Sequence, residues 1–428
     1  MTAPDSRATL DDWLGWLPSL SSREIDLGLE RVAEVYQRLD IPRPTRVFSV
    51  AGTNGKGSTV QMLQALLQSR DVSTGSYTSP HILRYEERIR VNGLMASEAS
   101  IVDAFRRIES VRGTIPLTYF EYGTLAAMCV FAEREVDTAL LEVGLGGRLD
   151  AVNAIDHDGC IITNVSLDHC DWLGDTLGEI ALEKAGIMRQ GKPAIVGDIN
   201  APPELAAVAR TVNADLRAAG RDFHWREDAD GAWCWQGRDV TLDGLAPLQM
   251  RGDHQLDNAA AALALLEAVG IQDQLSTATV NASLPTLQVA GRQELLVRRD
   301  RYWLMDGAHN EEGARALGDR LAALKQCQRA LLVVGVLDDK DVDAIVAQLV
   351  PHVSVAITLT ADSPRAVPAA RLKSSIAAVG DLPVTAVDSP EAALELAVTA
   401  TSPDDLIVVA GSFYTLATAY RWLGDTIE

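Results

Sequence analysis

The segment Val50-Ala51-Gly52-Thr53-Asn54-Gly55-Lys56-Gly57-Ser58 carries residue types that hold phosphate. Glycines let backbone N–H groups approach phosphate oxygens closely, and Lys56 adds a point charge. The hydroxyl of Ser58 stands one residue later than in the common form of such loops, because Gly57 follows the lysine directly. The pattern points to a nucleoside triphosphate as cosubstrate, together with Mg²⁺. Glu142 ends an apolar run, and its carboxylate either reaches a metal near the phosphates or caps a local turn. His169, in Asn164-Val165-Ser166-Leu167-Asp168-His169, is either a ligand or a structural histidine. Asp306-Gly307-Ala308-His309-Asn310 offers a carboxylate and an imidazole, which makes His309 a candidate catalytic group. Arg84, Arg88 and Arg90 form either a positive subsite for an anionic substrate or a solvated face.

These groups need strand ends to present them. Thr45–Val50 reads as a strand, and Val60, Leu63, Leu66 and Leu67 fall on one face of a helix starting at Ser58. Strand, glycine-rich turn and helix together are the setting a phosphate loop requires. Residues 22–40 read as a helix with Ile25, Leu29, Val32, Val35 and Leu39 on one face, ended by Pro42 and Pro44. A helix over 119–135, a strand Thr138–Val143, a turn Gly144–Arg148 and a strand Cys160–Val165 follow. Strands alternating with helices imply a parallel sheet. Residues 222–250 break the rhythm and read as a small β insertion, and 257–269 as an alanine-rich helix.

Leu284–Arg292 reads as a boundary, dividing the chain into 1–290 and 291–428. Strands are expected beyond it at Tyr302–Met305, Leu331–Val336, Val353–Leu359 and Leu406–Ala410. The fold class is α/β: an N-terminal P-loop ATPase domain with a parallel-type sheet, plus a smaller C-terminal Rossmann-like α/β domain. Polar strand ends in both place the site in a cleft that can close on nucleotide.

At 428 residues the chain suits two domains, and its 47% hydrophobic and 23% charged content is globular. A net charge of -21 argues against nucleic acid and anionic membranes as partners. Cys129, Cys160, Cys170, Cys234 and Cys327 show no C-x-x-C pair, which suits reduced thiols and a cytoplasmic location. The first residues show no signal peptide, and no apolar run approaches about 18 residues.

A family resemblance rests on Ile25–Arg31, Gly52–Ser58, Thr78–His81, Glu86–Arg90, Phe120–Thr124, Leu141–Asp150, Leu167–His169, Glu183–Gly186, Asp306–Asn310 and Asp339–Asp341. In this order, over nearly the whole length, they resemble the bacterial dihydrofolate synthase/folylpolyglutamate synthase family. That family sits within the Mur ligase group of ATP-dependent amide-forming enzymes. The resemblance implies that Asn54, Gly55, Lys56, Gly57 and Ser58 hold ATP phosphates, and that Asn258, Arg292 and Asp306 contact ATP from the second half. It implies one or two Mg²⁺ ions at Ser79, Glu142 and His169, with Ser58 a further candidate. Leu27, Gly28, Thr118, Phe120, Leu149, Asp150 and Ala151 would line the pterin site, and Lys184 matches a lysine carbamylated in this group. Two departures are visible. Ala290 replaces the usual Pro before Gly291-Arg292, and Gly411-Ser412-Phe413-Tyr414 matches the closing Gly-Ser segment only loosely, which leaves the glutamate contacts open.

The implied partners are ATP, L-glutamate, dihydropteroate and reduced folates, with the protein a monomer. The implied chemistry is an acyl phosphate attacked by the amine of glutamate. Rival readings are a single-function folylpolyglutamate synthase, another Mur-type ligase, or a P-loop NTPase switch. A Mur-type ligase for a peptidoglycan precursor usually carries a sugar-nucleotide domain before its loop, and only 51 residues precede Gly52. The switch reading leaves the second domain without a role.

Overall fold

Apolar runs of four to six residues, separated by helical segments, force the chain into sheets covered on both faces. The computed structural model describes residues 3–5, 7–21, 25–271, 275–324 and 329–427. The first sheet contains β1 (Arg46–Ala51), β2 (Thr74–Tyr77), β3 (Ile89–Val91), β4 (Leu94–Met95), β5 (Thr138–Glu142), β6 (Gly159–Ile162), β7 (Pro193–Val196) and β8 (Asp215–Ala218). Their order is β4-β3-β2-β5-β1-β6-β7-β8. From β2 to β8 every pairing is parallel, while β3 and β4 add an antiparallel edge.

Period-two alternation along β1 divides its side chains between two cores. Val47 and Ala51 join the helix Tyr119–Glu133, whereas Phe48 and Val50 join the helices Lys56–Gln68 and Asp253–Ala268. The break at 222–250 is a separate antiparallel sheet of β9 (His224–Glu227), β10 (Trp233–Gln236) and β11 (Thr241–Leu245). Buried Trp233 and Trp235 anchor it against the Asp253–Ala268 helix.

The second sheet holds β12 (Glu294–Arg298), β13 (Arg301–Met305), β14 (Ala330–Val334), β15 (Val355–Leu359), β16 (Val384–Val387) and β17 (Leu406–Ala410), in the order β12-β13-β17-β14-β15-β16. All its pairings but the β12 edge are parallel. The fold is thus mixed α/β, with a large parallel-type sheet first and a separate α/β sheet after it.

Two local expectations are corrected. The helix expected over 22–40 runs only Glu30–Leu39, and residues 22–24 lie outside the described residues. Ile25 and Leu29 precede it, because the Gly28 N–H is pinned to the Leu149 carbonyl at 3.2 Å and holds that stretch out of helix. The phosphate-loop helix starts at Lys56 rather than Ser58, since Gly55 takes φ +82° as its cap and the helix continues directly. Among the described residues Cys129, Cys160, Cys170 and Cys234 are free thiols, and Cys327 lies outside them. No helix among the described residues is long and apolar enough to cross a membrane.

Candidate active site

β1 delivers the phosphate loop at its carboxyl end, where an open parallel sheet places its ligands. Gly55 is required twice over: its φ is positive, and a Cβ there would meet Asn258 Oδ1 at 2.5 Å. Asn258 therefore lies against the loop. Lys56 Nζ donates to the carbonyls of Gly52 at 3.0 Å and Thr53 at 2.9 Å. Burial pushes the Lys56 pKa down, and the nearby Glu142 carboxylate opposes that shift.

Glu142, the last residue of β5, is buried, and its carboxylate accepts the Ser79 N–H at 3.0 Å. Burial raises its pKa against the pull of Lys56. Lys184 differs from Lys56. It sits 2% exposed near the end of the helix Leu177–Ala185 and has neither a hydrogen bond nor an ion pair among the described residues. Burial, with Lys56 adding repulsion, brings its pKa down to about 7.

Beyond β6, Asp168 pairs with Lys340 Nζ at 2.6 Å and faces His309 Nε2 at 3.6 Å. Burial would raise the Asp168 pKa, but the His309 hydrogen bond and the surrounding positive groups hold it well below the carboxylate range. His169 Nε2 lies 3.3 Å from the same Lys340 Nζ. Burial pushes the His169 pKa to about 4.

The second unit contributes Asp306, just past β13, whose carboxylate accepts from Gln293 N–H at 2.8 Å and Ala308 N–H at 2.7 Å. Arg292 lies over the Phe413 ring, 5.0 Å from its centroid. His309 Nδ1 is 2.7 Å from the Gly307 carbonyl. Asn310 caps the helix Glu311–Ala323 and also donates to Asn54 Oδ1 and Asp168 Oδ2, both at 3.1 Å. Glu312 Oε2 accepts from Asn54 Nδ2 at 2.7 Å, Asn164 Nδ2 at 2.8 Å and Ser166 Oγ at 2.7 Å.

One cavity of about 410 Å³ lies between the units. Asn54, Gly55, Lys56, Gly57, Ser58, Ser79, Glu142, His169, Lys184, Asn258, Arg292, Asp306 and His309 all line it. The pterin candidates do not. Leu27, Gly28, Thr118, Phe120, Leu149, Asp150 and Ala151 are not in its lining, although Phe120 and Asp150 contact the lining residues Gly144 and Leu145. Phe120 packs so closely on Gly144 that a Cβ there would meet its ring at 2.6 Å. Two of their polar groups serve the backbone. Thr118 Oγ1 accepts the Glu121 N–H at 3.2 Å, and Asp150 accepts those of Leu145 and Val152, each at 2.9 Å. Burial brings the Asp150 pKa up to about 6.

Glu142 with the hydroxyls of Ser58 and Ser79 makes an oxygen donor set, which suits a hard divalent cation that keeps water and substrate phosphate as its other ligands. Among the described residues no three of His, Cys, Asp or Glu gather into a cage. Sequence reasoning gave no role to Glu312, Lys340, Asn164 or Ser166. Glu312 reads locally as an acidic first-turn residue of a helix, and nothing along the chain signals what it meets.

Residues 50–266 match the family described as Mur ligase middle domain, and residues 291–413 match Mur ligase, glutamate ligase domain. A dihydrofolate synthase/folylpolyglutamate synthase of Escherichia coli (strain K12) is 39% identical over 415 residues, covering 97% of this chain and 95% of the relative. The structure of E. coli FolC in complex with DHPP and ADP aligns with a TM-score of 0.92 at 38% identity, over 98% of both chains. A Yersinia pestis bifunctional folylpolyglutamate synthase/dihydrofolate synthase, complexed with AMPPNP and Mn ion, aligns at 0.91 and 38% identity, over 99% of this chain and 100% of that one. The chain belongs to the Mur ligase family and, within it, to the dihydrofolate synthase/folylpolyglutamate synthases, which are ATP-dependent ligases.

Proposed function

We propose that this cleft joins L-glutamate to dihydropteroate, forming dihydrofolate, and to reduced folates, forming folylpolyglutamates. The observation that carries the proposal is one cavity in which the loop lysine, a buried carboxylate and an unpaired lysine meet Arg292, Asp306 and His309 of the second unit. The E. coli and Y. pestis relatives named above support the substrates and the use of a divalent metal.

A carboxylate is a poor electrophile, so ATP must supply a leaving group. The acceptor carboxylate attacks the γ-phosphorus, the bond to the bridging oxygen breaks, and ADP departs. Asn54 to Ser58 hold the phosphates, and Lys56 stabilises charge spread over the transferring oxygens. Asn258, beside the loop, and Arg292 and Asp306, from the second unit, position the nucleotide. The amine of glutamate then attacks the acyl carbon, phosphate leaves, and the amine sheds a proton. His309 is the imidazole placed to handle that proton. The units exclude water from the acyl phosphate.

Ser58, Ser79 and Glu142, with His169, would hold Mg²⁺, which neutralises charge on the phosphoryl oxygens. Lys184 suits carbamylation because only an unprotonated amine adds to CO₂, and a pKa near 7 leaves about half the amine unprotonated at neutral pH. The product is an anionic oxygen ligand in place of an ammonium. Leu27, Gly28, Thr118, Phe120, Leu149, Asp150 and Ala151 would receive the pterin, with Phe120 supplying an aromatic face.

We further propose that the chain divides into 1–290 and 291–428 and works as a cytoplasmic monomer. Two sheets that share no strand support the division, free thiols suit a reducing compartment, and both walls of the cavity come from one chain. The test is product analysis by mass spectrometry, with ATP, glutamate and either dihydropteroate or tetrahydrofolate. Both products are expected. Tetrahydrofolate extension alone would make the protein a single-function folylpolyglutamate synthase. ADP release indifferent to acceptor would favour an NTPase switch.

A further inference from the structure

The small antiparallel sheet β9–β11 has no part in the proposed acyl transfer, yet one of its side chains reaches the cavity wall. Trp225 on β9 stands opposite the buried Trp235 and packs partly into the same core as the helix Asp253–Ala268. Its indole Nε1 donates to Asp257 Oδ1 at 2.7 Å. Asp257 follows the first turn of that helix and lines the cavity together with His254, Gln255 and Asn258. Positions 254, 255, 257 and 258 share one helix face, so the helix turns a polar edge toward the cavity.

Sheet order tells which end of the cavity this is. Glu142 ends β5, one strand to one side of β1, and Asp198 follows β7, two strands to the other side. At about 4.8 Å per strand, the two carboxylates mark ends roughly 14 Å apart. Phosphates held at the end of β1, with metal donors on the β5 side, leave the β7 side for the nucleoside. The lining Lys and Arg residues are Lys56, Lys184 and Arg292, and none comes from β7 or the helix Asp253–Ala268. Carboxylates stand there instead: Asp198, Asp257 and, from the second unit, Glu312. Glu312 Oε2 accepts from Asn54, Asn164 and Ser166, and Asp198 Oδ1 accepts the Asn200 N–H at 2.7 Å. Asp257 differs: among the described residues its one bond is to Trp225, and its Oδ2 has no partner. Burial brings its pKa up to about 6 against the pull of that bond, so at neutral pH it is mostly a carboxylate, which accepts and does not donate.

We propose that Asp257 receives the 6-amino group of the adenine base, with Trp225 holding the carboxylate in place, so that the small sheet sets the choice of ATP over 6-oxo nucleotides. The proposal rests on the reading of this cavity as the nucleotide site. A 6-amino group donates to Oδ2. A 6-oxo group presents an acceptor there, which repels the carboxylate and leaves it without a partner in a site that excludes water. Asp257 contacts the substrate, and Trp225, which acts through it, is a positioning residue.

Calorimetry with ADP and inosine diphosphate tests this, because the two bases differ at the 6-position, amino against oxo. Wild type is expected to bind ADP at least about tenfold more tightly than inosine diphosphate. Asp257→Asn supplies an amide that can donate to a 6-oxo group, so the preference should fall about tenfold, with ADP weakened and inosine diphosphate strengthened. Trp225→Phe keeps the aromatic packing, drops the N–H and should lower the preference by about threefold. It carries the test if Asp257→Asn does not fold. A merely structural role would move both Kd values by the same factor. Equal shifts, an unchanged preference or a wild type that does not discriminate would overturn the proposal. Product analysis on the same proteins separates the two readings. Equal shifts in protein that still makes dihydrofolate or folylpolyglutamate sink the base contact alone. A wild type that binds neither diphosphate sinks the nucleotide site and the contact together. A wild type that makes neither product fails the folate reading and leaves the ratio of Kd values to decide the contact.

Discussion

The two walls of the cleft are built differently. On the first, polar groups are held by backbone of the same unit: Lys56 by the Gly52 and Thr53 carbonyls, Glu142 by the Ser79 N–H, and Asp150 by the Leu145 and Val152 N–H groups. On the second, Asn310, Glu312 and Lys340 find partners across the cleft, at Asn54, Asp168, Asn164 and Ser166. The first wall is therefore preorganised for phosphate whether or not the cleft is closed. The geometry of the second depends on contacts with the first. Lys184 is the exception on the first wall, a buried amine that no neighbour holds.

The largest expected effect is on the first wall. If Lys56 stabilises the transferring phosphoryl group as proposed, Lys56→Ala should cost roughly 3–4 kcal/mol in kcat/KM, with the fold kept. Near-normal turnover would remove Lys56 from the mechanism. Next comes Lys184→Ala, expected to lower activity by about 10–100-fold, the scale for a lost supporting group at a metal site. Acetate at high concentration should restore part of it by filling the vacated ligand position. Full activity in the variant without added carboxylate would show that no modified lysine is needed.

The second wall is tested at Glu312. Glu312→Ala strips the acceptor from Asn54, Asn164 and Ser166 and should weaken closure by about 1–3 kcal/mol. If Glu312 acts by closing the cleft, KM for ATP rises more than kcat falls. A kcat loss at constant KM would place Glu312 in the chemistry instead. The smallest effect is a slope. Lys184 has a folded pKa near 7 against an ordinary value of 10.5, so between those pH values the unfolded chain binds more protons than the folded one. In CO₂-free, metal-free buffer, stability against urea should therefore rise with pH across that window, by up to about 1.4 kcal/mol per pH unit. Lys184→Met should flatten the rise. Identical slopes in both proteins would mean that Lys184 is not the buried amine described.

The first wall was the more legible in sequence for the same physical reason. The phosphate loop and the strands beside it are local: apolar runs end in glycine or a polar residue such as Glu142, and Lys56 bonds backbone three and four residues away. The run Leu406–Ala410 was read to the residue for the same cause. β2, β7, β8 and β12 escaped the reading because they are short or mixed in polarity, as in Thr74-Gly75-Ser76-Tyr77 and Asp215-Leu216-Arg217-Ala218. The helix expected over 22–40 shows that periodicity can run past a stretch whose backbone is bonded elsewhere. Glu312 was invisible as a site residue, and Lys340, though inside the matching segment Asp339–Asp341, drew no role, because their partners lie more than a hundred residues away. Family resemblance supplied Asn258 and Arg292, which local pattern alone did not.

The central claim is that a folate carboxylate is activated in this cleft as an acyl phosphate. Dihydropteroate labelled with oxygen-18 in its carboxylate tests it directly, in one turnover with ATP and glutamate. The account predicts that one labelled oxygen appears in inorganic phosphate for each dihydrofolate formed. Dihydrofolate formed with wholly unlabelled phosphate would contradict it.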